Sequence, residues 1–224
     1  MAASVSHIVY ALEYLKEHSE YDKYKFLRGT VFPDIRYVAD IERSLTHPEG
    51  VTLDKVDAEA DSWRAGFLFH NWVDVQWQNY LSDGGVDIYD KSNQVLSDAV
   101  KEIEDLNLAS RLSPEERVLI ANNLFIVDDE PLMIVTDPDV IMLYYRGVAD
   151  MLLNIEDREG RRRAMRELGF SDSLGEKTEQ MVRLLLSGKG ALSHPEEHFN
   201  SFVDRIKQDI AVHARTHADK AAND

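Results

Sequence analysis

No cysteine occurs among the 224 residues. That excludes a disulfide framework and any thiolate-held metal, so a metal in this chain has only histidine and carboxylate to hold it. No apolar run approaches the ~18 residues of a spanning helix, so no membrane span is expected. The opening MAASVSHIVYALEYL has no basic stretch ahead of its apolar residues, and Glu13 interrupts them. No signal peptide is expected, and the expected location is cytoplasmic. Basic residues are the minority, 25 against 41 acidic, for a net charge of −16. Such a surface disfavours duplex nucleic acid and anionic membranes as partners. The one basic cluster, Arg161-Arg162-Arg163, is flanked by Asp157, Glu159 and Glu167 and reads as a solvated helix face. The chain also lacks a Gly-x-Ser-x-Gly elbow, a Walker loop and an adjacent His-Asp dyad. No segment alternates as a strand does, and no fixed repeat is present.

The apolar fraction of 44% is enough for a core, and the length fits one domain over 1–224. Helical spacing and cap signals give about eight helices in an all-α arrangement. The first runs from Val5 to roughly Ser19, capped by Ser4 or Ser6. A long irregular segment follows from Phe26 to about Thr52, with Gly29, Pro33, Pro48 and Gly50 as breakers. It is too apolar for disorder and is expected to pack against the helices. A long helix capped by Thr52 or Asp54 runs to Leu81. Later helices span about Lys91–Leu106, Pro114–Val127, Pro138–Leu152 and Arg161–Leu168. Ser113 with Glu116, Ser173 with Glu176, and Ser193 with Glu196 have capping-box spacing. Residues 214–224 are expected to fray.

Within the long helix, Trp63, Phe67, His70, Asp74, Trp77 and Leu81 recur at steps of three and four and form one stripe. Its four large apolar members turn the stripe inward. His70 and Asp74 sit in its middle, one turn apart on the same face. A core-facing carboxylate needs a partner. A divalent metal is one, and a hydrogen bond from His70 is the plainer alternative. His7 lies in the first turn of the first helix, where a neutral imidazole is favoured over a protonated one. Asp34, in Phe32-Pro33-Asp34-Ile35-Arg36, and His47, in Thr46-His47-Pro48, adjoin prolines that fix the local backbone. Together His7, Asp34, His47, His70 and Asp74 are three imidazoles and two carboxylates, all within the first third of the chain. Arg28, Arg36 and Arg43 share the ligand-bearing segment. Arg36 is the arginine singled out to meet a phosphate, with an ion pair to Asp40 or Glu42 as the alternative. His194, His198, His213 and His217 read as a solvated C-terminal set, with a metal role as the alternative.

The order of these residues resembles that of the zinc-dependent phospholipase C fold, which is shared with single-strand nucleases. That order is a histidine at the first helix, a Pro-Asp-Ile loop, a Thr-His pair, then His-x-x-x-Asp on a core helix. The resemblance covers roughly residues 5–80. It implies an all-helical domain holding zinc and hydrolysing phosphoesters with a metal-activated water. Carried over, His47, His70 and Asp74 hold one metal, and Asp34 completes that site or orients the water. His7 holds a second metal, with Asp74 bridging. Members of that family carry further histidines after His-x-x-x-Asp for a third zinc; this chain has no histidine between Asp74 and His194, so one or two divalent ions are expected. Zinc comes first, with iron or manganese as alternatives. The implied substrate is a small anionic phosphoester, with Asp34 and Arg36 as catalytic groups. The other reading is a non-catalytic helical binding or scaffold protein, metal-stabilised or apo. Oligomeric state is not legible.

Overall fold

In a computed structural model the described residues, 4–85, 93–187 and 195–221, are helical with no strand among them. Helix α1 spans Ser4–Tyr14 and α2 spans Lys23–Val31. A 3-10 turn over Phe32–Ile35 leads into the single-turn helices α3 (Arg36–Ala39) and α4 (Arg43–Thr46). Helix α5 (Leu53–Asp57) precedes the long core helix α6 (Ser62–Tyr80), which runs on into a π turn at Leu81–Gly85. Then follow α7 (Gln94–Ala109), α8 (Pro114–Leu124), α9 (Asp129–Leu132), α10 (Pro138–Leu153), α11 (Arg158–Glu167), α12 (Asp172–Leu186) and α13 (Pro195–Ala221).

The all-helical expectation holds, and the Ser113–Glu116 capping box is present with both of its hydrogen bonds. Three local expectations are corrected. The segment from Phe26 to about Thr52 is irregular only in part: its start lies in α2, where Gly29 is an interior residue, Pro33 follows in the 3-10 turn, and α3 and α4 are single turns between loops. The long helix is two helices, because the Asp61 side chain accepts from the Arg64 amide at 2.9 Å and caps α6 afresh. Ser171, not Ser173, caps α12, accepting from the Leu174 amide. The expected Ser193–Glu196 box and His194 lie outside the described residues.

Gly29 and Gly66 explain how α2 and α6 meet, the most extensive helix pairing among the described residues. A Cβ at Gly29 would stand 1.9 Å from the Trp63 carbonyl oxygen, and one at Gly66 would stand 2.0 Å from that of Phe26. Only glycine lets these two backbones approach so closely. The Tyr144 hydroxyl donates to the Val31 carbonyl at 2.5 Å, tying the end of α2 to α10. Phe202 of α13 packs edge-on to Trp77 of α6 and Tyr10 of α1. The inward stripe of α6 is buried at Trp63, His70, Asp74 and Trp77, while Phe67 is half-buried.

Helix α1 is capped from another helix. Asp105 of α7 accepts from the Ser6 amide and hydroxyl, each at 2.7 Å, and from the Val5 amide at 3.3 Å. Ser6 does not cap locally; its hydroxyl donates to Asp105. A carboxylate suits this end of the helix dipole. Beside it, the Tyr10 hydroxyl donates to Glu104 at 2.5 Å. Burial pushes the Glu104 carboxyl up to about 8 and that of Asp105 up to about 6. The folded-state value of Glu104 thus exceeds its unfolded value, and the native chain holds the extra proton between the two. Stability then falls as pH rises through that window, by at most about 1.4 kcal/mol per pH unit. We expect Glu104→Gln to flatten the decline between pH 6.5 and 8, measured by denaturant unfolding of both proteins at each pH.

Candidate metal centre

Each candidate ligand is held by a separate piece of local structure. The cap from Asp105 fixes the first turn of α1 and with it the fully buried His7. The close crossing of α2 and α6 brings the Thr30 carbonyl to 2.8 Å from His70 Nδ1. A carbonyl can only accept, so Nδ1 carries the proton and Nε2 presents its lone pair inward. Burial, and then the stacked His7 ring at 3.9 Å, push the His70 pKa down to about 3. The imidazole is neutral and able to ligate. Asn71 of α6 donates to the Thr46 carbonyl at 3.2 Å, fastening the end of α4, while Thr46 Oγ1 lies 2.8 Å from His47 Nδ1. Asp34 sits in the 3-10 turn.

These residues converge on Asp74. Its Oδ1 lies 3.4 Å from His7 Nε2, and its Oδ2 lies 3.6 Å from His47 Nε2 and 3.8 Å from His70 Nε2. Asp34 Oδ1 stands 4.0 Å from His47 Nε2. Every one of these atoms is buried and has no hydrogen-bond partner. Buried polar atoms are normally satisfied, and a cluster of them left without partners calls for a physical cause. Two acceptors face each other here, the His70 lone pair and a carboxylate oxygen, and a cation satisfies both. The 3.4 and 3.6 Å separations also fit, and those at 3.8 and 4.0 Å lie slightly beyond. Ligands bound at 2.0–2.2 Å in tetrahedral array lie ~3.3–3.6 Å apart. Burial raises the Asp74 carboxyl, but its electrostatic interaction with His70 leads the influences that outweigh burial and hold Asp74 well below the usual carboxylate range. Asp74 is therefore ionised, as a metal ligand must be.

The five residues fall into two three-residue groups that share His70. One is His7, His70 and Asp74; the other is Asp34, His47 and His70. His47 and Asp74 border a cleft lined also by Arg43, Pro48, Asn71 and Gln78. On the other side Asp34 borders a mostly apolar cavity with Tyr37, Tyr144, Met151 and Phe170.

The arginines sort differently from expectation. Arg28 is bound bidentately by Asp128 and also donates to the Asn123 carbonyl, so it is committed to the α8–α9 side. Arg36 is stacked over the Tyr37 ring, 4.0 Å from its centroid, and hydrogen-bonds the Tyr37 hydroxyl. Its partner is neither Asp40 nor Glu42. The arginine that reaches the cluster is Arg43, with Nη2 3.9 Å from Asp74 Oδ2. Spacing gives no signal for it, since His47, four residues on, lies past the end of α4 with non-helical backbone. The Thr30 carbonyl and Asn71 carry none either, because they act through the tertiary crossing. His213 and His217 do not join this cluster; they meet Asp54 and Asp57. His198 offers its carbonyl to the Tyr80 hydroxyl. Comparison of the chain with protein-family models, curated proteins and solved structures finds no match.

Proposed function

We propose that this protein is a metal-dependent hydrolase of small phosphoesters. The observation that carries the reading is the inward convergence of unpartnered imidazole and carboxylate atoms on Asp74. His47, His70 and Asp74 would hold one divalent cation, zinc by the nitrogen and oxygen character of the set. His7 would hold a second together with Asp74, whose carboxylate has two oxygens to offer. A cation bound there would lower the pKa of a water towards neutrality and screen the charge of a phosphoester. Asp34 would orient a water for attack and accept its proton. Arg43, at the mouth of the cleft, anchors the phosphate oxygens with its guanidinium; it replaces Arg36 in that role because Arg36 is stacked on Tyr37.

The test is metal analysis of purified protein, followed by a screen of chromogenic phosphomonoesters and phosphodiesters with zinc, manganese or iron(II) added. Bound metal and turnover that His47→Ala abolishes are expected. Protein that stays metal-free after reconstitution refutes the reading. The near-complete burial of His7 and His70 favours a second reading, a closed metal site serving stability. In that case metal raises the melting temperature and no phosphoester is turned over.

A further inference from the structure

The C-terminal helix carries a separate constellation. His213 and His217 are i, i+4 neighbours on α13, with ring centroids 4.4 Å apart. Both face α5. His217 Nε2 lies 2.7 Å from Asp54 Oδ1, and His213 Nδ1 lies 4.0 Å from the same oxygen. One ligand atom from each of the three residues falls within 4.8 Å of the others. We propose that Asp54, His213 and His217 form a second transition-metal site, which clasps α13 to α5.

The surroundings are arranged for it. His213 Nε2 donates to Asp57 Oδ2 at 2.9 Å, and a carboxylate accepts only, so the proton is on Nε2. His213 Nδ1 is left as a lone pair on the side of Asp54 and His217. A carboxylate behind a histidine in this way is the usual support of a ligating imidazole. Asp57 is itself fixed, accepting from the Tyr14 hydroxyl of α1. His217 is 45% exposed at its side chain, so its proton can pass to Nδ1 or to solvent when Nε2 ligates. A pocket lined by Thr52, Asp54, Trp72, Arg205, His213 and His217 leaves room for water to complete the coordination shell. Arg205 in that pocket is paired with Asp83 at 3.2 Å. Two imidazoles and one carboxylate suit zinc, nickel or cobalt over calcium or magnesium.

This site shares no residue with the Asp74 cluster, and the two are separable by experiment. The full-length chain, stripped with chelator, is titrated with cobalt(II) by visible absorption and then with zinc by competition. Wild type is expected to show a class of site that survives His47→Ala. His217→Ala and Asp54→Asn should each weaken that class about tenfold or more, beyond the lower bound for losing a supporting residue. Zinc should slow amide exchange across α13 in wild type and leave it unchanged in His217→Ala. Exposed His217 can be replaced without disturbing the core, and circular dichroism checks that the helices persist. A titration that neither substitution changes overturns the proposal. So does a wild-type chain that binds no metal beyond that lost in His47→Ala.

Discussion

An Asp74→Asn protein is expected to lose the metal of the Asp74 cluster, keeping only what Asp54, His213 and His217 bind, and all phosphoester hydrolysis above blank. Among the described residues Asp74 is the one approached by His7, His47, His70 and Arg43 together, at 3.4 to 3.9 Å. Losing a residue that merely supports a ligand weakens metal affinity by about 10–100-fold. Losing the only carboxylate common to the three imidazoles should exceed ~100-fold. The effect on stability should reverse sign with metal. In stripped wild type both Asp74 oxygens are buried without a hydrogen bond, and one faces the His70 lone pair, an arrangement that costs free energy. The carboxamide introduced by the substitution supplies donors, so the stripped variant should melt above stripped wild type, while loaded wild type melts above both. Metal analysis with thermal melts, before and after chelator, reads all three. A stripped variant that melts lower than stripped wild type means Asp74 is satisfied without a cation.

Gly66→Ala should have the largest effect on the fold. The new Cβ would meet the Phe26 carbonyl oxygen at 2.0 Å and the Thr30 amide nitrogen at 3.0 Å, both backbone atoms on α2. Neither can swing away as a side chain would, so the two helices must separate. Overpacking typically costs about 1–3 kcal/mol and more when backbone must move. At ~3 kcal/mol the melting temperature of a chain this size falls by about 6–12 °C. Metal affinity should fall too, because the same crossing holds the Thr30 carbonyl on His70. Gly175→Ala in α12 is the internal control. Nothing lies within 4 Å of its added methyl, so it should gain about 0.4–1 kcal/mol by restricting the unfolded chain.

Much of this was legible in the residues. The helical class follows from spacing and caps, and the Ser113–Glu116 box reads directly because all its partners are local. The inward stripe of α6 could be read for the same reason, and with it the His70–Asp74 pair. What escaped depends on partners far along the chain. Gly29 reads as a breaker until Trp63 is known to lie against it. Ser6 reads as a cap until Asp105, 99 residues away, takes its hydroxyl. The break between α5 and α6 turned on which of several acids caps, and Asp61 prevails over Thr52 and Asp54 because its side chain reaches the Arg64 amide. Arg36 and Arg43 looked alike in sequence, and only the Tyr37 ring separates them.

The cap on α1 also bears on biosynthesis. All five candidate ligands lie within residues 7–74, yet the clamp on the first helix comes from position 105 and the anchor on Val31 from position 144. A ribosome will have made every ligand long before it makes what holds them in register. The nascent chain therefore passes through a stage in which its imidazoles and carboxylates are present but unorganised, and cation loading belongs to the later part of translation or to the released protein.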